Sequence, residues 1–178
     1  MDNSIKYVMY SEEQIKKRVS EIAAQISVDY QGKDVLLVCV LRGSIIFTAD
    51  LIREMSIPVK VDTIAVSSYG NSTESSGVVR LIKDLDETIK DVHVLIVEDI
   101  IDSGLTLQYL INMLKQRNPA SVKVCTLLDK RERRMSNVIP DYAGFVIPNE
   151  FVIGYGMDYG EYYRQLPYIG VLKPEVYQ

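Results

Sequence analysis

An α/β fold built on a central, mainly parallel sheet flanked by helices is what this chain predicts, on three observations. Residues 35–41 (VLLVCVL) and 92–97 are short, nearly continuous apolar runs rich in β-branched residues, and 122–128 (VKVCTLL) reads as a further strand. Such runs read as strands buried on both faces. Helical periodicity follows two of them, over 45–55 and at Leu105, Leu107, Leu110, Ile111 and Leu114. Each of these strand-to-helix junctions carries polar and charged residues, where ligands bind in α/β sheets.

The elements follow in order. Ser11-Glu12-Glu13-Gln14 reads as a capping box. Ile15, Val19, Ile22 and Ile26 continue at helical spacing, with Gly32 placed to end the segment. The strand at 35–41 ends in Leu41-Arg42-Gly43-Ser44. Ser44 could simply cap the next helix, or Arg42-Gly43 could offer a cation and free N–H groups to an anion; the residues alone do not decide. Residues 59–66 form a third strand, half exposed at its start. The polar, glycine-bounded stretch 67–77 follows and predicts a mobile loop before a strand at 78–82.

The central strand at 92–97 runs into Glu98 and Asp99, then Asp102-Ser103-Gly104-Leu105-Thr106 at a helix start. A helix N-terminus carries unsatisfied N–H donors and partial positive charge, which suits a phosphate. Gly104 allows close backbone approach. Glu98 and Asp99 supply paired acceptors for vicinal ribose hydroxyls, and Asp102 can act as general acid or base. The loop thus suits a ribose 5-phosphate. A plain capped loop would explain Asp102-Ser103, but not two further carboxylates ending a buried strand.

Asn118-Pro119 breaks the chain before the strand at 122–128. The charge run 129–134 reads as a solvated loop, except Lys130 at the strand end. Short strands are expected at 142–146 and 151–153. The glycine-rich segment 154–164 is not GxGxxG, because Tyr159 stands where the last glycine would be. Residues 168–172 return as a strand to a small hood formed by both chain ends.

At 178 residues the chain fits one domain, residues 1–178, with a real core. Its net charge of −4 supplies no global basic field for nucleic acid. No apolar run is long enough to span a bilayer, and residues 1–4 lack a signal-peptide core, so a cytoplasmic protein is expected. Cys39 and Cys125 sit in apolar runs and read as buried small hydrophobes. His93, the single histidine, is assigned no role.

The strand, Glu98-Asp99, two apolar residues and Asp102-Ser103-Gly104-Leu105-Thr106 together resemble the phosphoribosyl diphosphate (PRPP) signature of the type I phosphoribosyltransferases. No GxxxxGK[ST] occurs, so this is not a Walker A loop. The resemblance covers nearly the full length and implies that family's sheet and hood. It implies pyrophosphate binding by Leu41, Arg42 and Gly43, with a cis Leu41–Arg42 peptide, and by Arg164. Arg42 stands where many relatives have lysine. Ser68 and Tyr69 fall in the position of the family's flexible loop, which closes over pyrophosphate and excludes water.

Lys130, after Leu128-Asp129, and the segment from Phe151 to Arg164 narrow the resemblance to the 6-oxopurine members. There Lys130 would donate to the exocyclic oxygen, disfavouring adenine. Phe151 would stack on the base, the Val152 backbone would read its edge, and Asp158 would lie near C2. Glu98, Asp99 and Asp158 would hold Mg²⁺, and Asp102 would manage a proton near N7. The resemblance implies a purine salvage enzyme using PRPP and hypoxanthine or guanine, and a homodimer or homotetramer. The alternatives are a xanthine-preferring enzyme and a regulator of this fold that binds RNA, which would need a basic face.

Overall fold

The computed structural model describes residues 3–68 and 79–177. Six strands form the central sheet: β2 (Val35–Leu41), β3 (Lys60–Ser68), β4 (Val79–Lys83), β5 (His93–Ile101), β6 (Ser121–Asp129) and β7 (Tyr142–Val146). Their spatial order is β4-β3-β2-β5-β6-β7. All neighbours are parallel except β3 and β4. Chain order runs outward in both directions from the β2–β5 pair. That pair is therefore the topological switch point, and its carboxyl ends open the crevice where such sheets bind ligands.

Period-2 alternation explains how the sheet takes helices on both faces. Leu37, Leu95, Val97, Cys125 and Leu127 pack with α1 (Glu12–Asp29) and α2 (Ile45–Glu54). Val38, Val40, Val94, Ile96 and Val124 pack with α3 (Leu105–Lys115) on the other face. The Ser11 capping box is present, with the Gln14 side chain accepting from the Ser11 N–H at 2.8 Å. Helix α1 ends at Asp29; Gly32 takes a φ of +73° in the following turn rather than at the helix end itself.

The hood is an antiparallel sheet of β1 (Ile5–Tyr10), β9 (Ile169–Leu172) and β8 (Val152–Ile153), so both chain ends do meet. Strand β1 went unread in the sequence because its residues alternate weakly and only Ile5 is buried. A short helix α4 (Pro174–Tyr177) follows β9. Cys39 and Cys125 are buried and free. The His93 Nδ1 lies 2.8 Å from the Ser121 hydroxyl, a structural pairing. No helix among the described residues is long and apolar enough to cross a membrane.

Candidate active site

Strand β5 does not stop before its carboxylates. It continues to Ile101, because β6 keeps pairing with it: Glu98 lies opposite Thr126 and Ile100 opposite Leu128. The expectation that Glu98 and Asp99 end the strand is corrected, and strand alternation divides the pair. Glu98 lines a cavity of about 150 Å³ with Ile100, Asp102, Ser103, Gly104 and Thr106. Asp99 lines a neighbouring cavity of about 240 Å³ with Asp102, Lys130, Phe151, Val152 and Asp158. Asp102 borders both.

The first cavity sits on the start of α3. Gly104 takes a φ of +77° and supplies the N-cap without a side-chain bond. The first-turn N–H groups of a helix have no partner within it; Leu105 N–H finds only the Ser103 hydroxyl, at 3.4 Å. A Cβ at Gly104 would collide with the Ser136 hydroxyl, so the segment after β6 roofs this loop.

The second cavity joins residues far apart in sequence. Lys130 is buried at its wall, with Nζ 3.7 Å from Asp102 Oδ2. Burial pulls the ammonium below its ordinary range, and Asp102 pulls the other way. Asp102 Oδ1 is buried and finds no hydrogen-bond partner among the described residues; Arg133 Nε stands 3.5 Å away. A carboxylate oxygen at a cavity wall that makes no hydrogen bond keeps a lone pair for a proton. Phe151 is held by aromatic neighbours, stacked on Tyr177 at 4.8 Å and meeting Tyr159 edge-on at 5.7 Å.

The loop after β2 closes the site from the other side. The Leu41–Arg42 peptide is cis. Ser44 precedes α2 but does not cap it: its hydroxyl donates back to Val40 O at 2.7 Å. Gly43 is required by contact, since a Cβ there would run into the Asp99 carboxylate. Gly156, with a φ of +100°, lies against the Gly43 carbonyl. Arg164 donates to Gly156 O at 2.8 Å and pairs with Asp158 at 3.0 Å. The segment 154–164 thus folds onto the 41–43 loop. It is less of a surface turn than its tyrosines suggested: Tyr155 is buried and bonds Asp50 at 2.6 Å.

Burial dominates the acid electrostatics. It pushes Glu98 well above the usual carboxylate range, with the Asp99 charge adding to it. Asp99 is pushed up to about 6, burial first; Asp158 raises it further, while backbone N–H groups and Arg164 oppose. Asp99 therefore binds its proton more tightly folded than unfolded. Below about pH 4 it is protonated in both states and contributes no difference. Between about pH 4 and 6 the unfolded chain ionises this group while the folded protein still holds the proton, so stability falls over that range and the loss is complete above 6. With an ordinary value of 3.8, the loss is about 3 kcal/mol. Asp99→Asn should therefore melt above wild type at pH 7.5, with the gap closing near pH 4. A gap independent of pH in thermal denaturation would refute this.

The charge run 129–134 is solvated at Arg131, Glu132 and Arg133, as expected, but not at its two ends. Arg134 is mostly buried and bonds the Asp129 carboxylate, Asp102 O and Val138 O. Arg131 also pairs with Asp129, at 2.8 Å. Arg133, Arg134, Glu161 and Tyr177 all went unread as site residues. The one available signal was Asp129, a carboxylate closing a buried strand that needed a cation. Ser68 is the last residue of β3; Tyr69 and the rest of the expected mobile loop lie outside the described residues.

The chain matches the family model described as the phosphoribosyl transferase domain over residues 9–160. It is 49% identical over 178 residues to the hypoxanthine-guanine phosphoribosyltransferase of Bacillus subtilis, covering 100% of this chain and 99% of that one. It is 48% identical over 177 residues to the bifunctional protein TilS/HprT of Listeria monocytogenes. That match takes in 99% of this chain but only 27% of the relative's length. The crystal structure of a hypoxanthine phosphoribosyltransferase from Staphylococcus aureus superposes with a TM-score of 0.97 at 47% identity. The superposition covers 100% of this chain and 97% of that one.

Proposed function

The chain belongs to the phosphoribosyltransferase family, and from that membership we propose that it is a single-domain purine salvage enzyme. It moves the 5-phosphoribosyl group of PRPP to hypoxanthine or guanine, giving IMP or GMP and pyrophosphate. The observation that carries this reading is that Asp102 lines both cavities. One has the phosphate chemistry of a helix start; the other has an aromatic wall and a buried lysine. The new bond forms where the two meet.

The roles follow from that placement. The backbone and hydroxyls of Ser103 to Thr106 take the 5-phosphate. Glu98 and Asp99 accept from the ribose hydroxyls. Leu41 to Gly43 and Arg164 receive pyrophosphate. The C1–oxygen bond breaks with its electrons leaving on pyrophosphate, through an oxocarbenium-like state. Purine N9 then bonds to C1 from the opposite face, and Asp102 takes the proton released by the base. Lys130 donates to the 6-oxo group, Phe151 stacks on the ring and Val152 reads its edge.

Asp99 and Asp158 share a cavity, and carboxylate oxygens are the donors that a hard divalent cation takes. Among the described residues no three potential ligands form a self-sufficient cage. Mg²⁺ keeps water and substrate phosphate among its ligands, so it asks few carboxylates of the protein. Asp99 and Asp158 would hold it, and when bound it would neutralise charge on the leaving pyrophosphate; Glu98, expected as a third ligand, lines the other cavity instead. The protein is read as cytoplasmic and as a homodimer or homotetramer.

A regulatory RNA-binding role would need a free basic face. Arg131, Arg133 and Arg134 are instead paired with Asp129 and Asp102. The test is direct: protein, PRPP and Mg²⁺ are offered hypoxanthine, guanine, xanthine, adenine or uracil, and nucleotide formation is followed. Conversion of hypoxanthine and guanine but not adenine or uracil is expected. Conversion of xanthine in preference to both would move the assignment to the xanthine enzyme. PRPP binding without conversion of any base would overturn the enzyme reading.

A further inference from the structure

We infer that Glu161 is an internal anion that competes with pyrophosphate for the arginines that receive it, so that pyrophosphate enters and leaves by exchange with Glu161. This rests on the reading above that Arg42 and Arg164 receive pyrophosphate. A single oxygen, Glu161 Oε2, lies 2.7 Å from Arg42 Nη1 and 3.1 Å from Arg164 Nη2. The two arginines come from separate loops, one after β2 and one beyond β8. An oxygen bridging two guanidinium groups makes the charge-assisted contacts that a phosphate oxygen would make.

Local structure aims the carboxylate there. Glu161 takes a φ of +70°, uncommon for a residue with a side chain. Its N–H donates to Asp158 Oδ2 at 2.9 Å, which ties its backbone beside Arg164. Arg164 Nη2 faces Asp158 as well as Glu161, while Nη1 is held by Gly156 O. Arg164 is thus compensated by two carboxylates of its own segment.

The contact is built to yield. The Arg42 and Glu161 side chains are 71% and 63% exposed, and ion pairs that open to water hold weakly. A diphosphate brings more charge and more acceptor oxygens to the same two cations. When the product leaves, Glu161 can reclaim both arginines. It acts through them as a positioning residue, lowering pyrophosphate affinity and speeding its release.

Calorimetric titration with pyrophosphate in Mg²⁺ tests this on the full chain, comparing wild type with Glu161→Gln, Glu161→Ala and Arg164→Gln. Both Glu161 variants should bind pyrophosphate roughly 3- to 10-fold tighter and suffer stronger product inhibition, with the KM for hypoxanthine unchanged. Arg164→Gln should bind it roughly 10-fold more weakly. If Arg164→Gln weakens binding while both Glu161 variants leave it equal or weaker, the exchange is refuted and Glu161 merely orients the arginines. If Arg164→Gln leaves affinity unchanged, the pyrophosphate assignment itself falls, and the exchange with it.

Discussion

Asp102→Asn is expected to cut turnover roughly 10²- to 10⁴-fold with PRPP and base both saturating. Asparagine keeps the size and shape of the side chain but cannot accept a proton as the carboxylate does. The environment makes this group the natural acceptor. Its Oδ1 is buried without a hydrogen-bond partner among the described residues, and Oδ2 faces Lys130 at 3.7 Å. The affinity for PRPP should change little, because the phosphate cradle is backbone and hydroxyl. Steady-state kinetics together with direct PRPP binding separates the two effects. Turnover equal to wild type would remove Asp102 from proton transfer.

Lys130→Ala should lower kcat/KM for hypoxanthine about 10- to 100-fold, the scale of one lost charge-assisted hydrogen bond. The dissociation constant for PRPP should stay near wild type. Lys130 lines the cavity with Phe151 and Val152 and does not line the one at the start of α3. Discrimination against adenine should weaken in the same variant, since the lysine that opposes a 6-amino group is gone. A loss of PRPP affinity with base kinetics intact would place Lys130 at the wrong substrate.

The two variants therefore divide the site along the boundary at which Asp102 stands. One should stop chemistry on a normally bound pair of substrates; the other should spoil recognition of one substrate. The Asp99→Asn melting comparison reaches the third component, the acids near the end of β5. It needs no substrate, so it tests the electrostatics of the site independently of the reaction assigned to it.

The apolar runs that became β2, β5 and β6, the periodic helices and the loop from Asp102 to Thr106 could all be read from the residues. Their patterns are local: burial on two faces forbids polar alternation, and a helix start needs a particular few residues. The hood strand β1 could not be read, because its stability comes from pairing with β9 across the whole chain. The same holds for Arg134 and Glu161, ordinary surface charges by sequence whose partners lie on other elements. Local pattern determined the fold class, the switch-point loop and the place of Asp102 within it. Only the tertiary structure separated Glu98 from Asp99 into two cavities, set Gly43 against the Asp99 carboxylate and made Gly156 obligatory. It also brought Arg42, Glu161 and Arg164 together, because contact between distant segments is set by packing geometry rather than by neighbours in sequence.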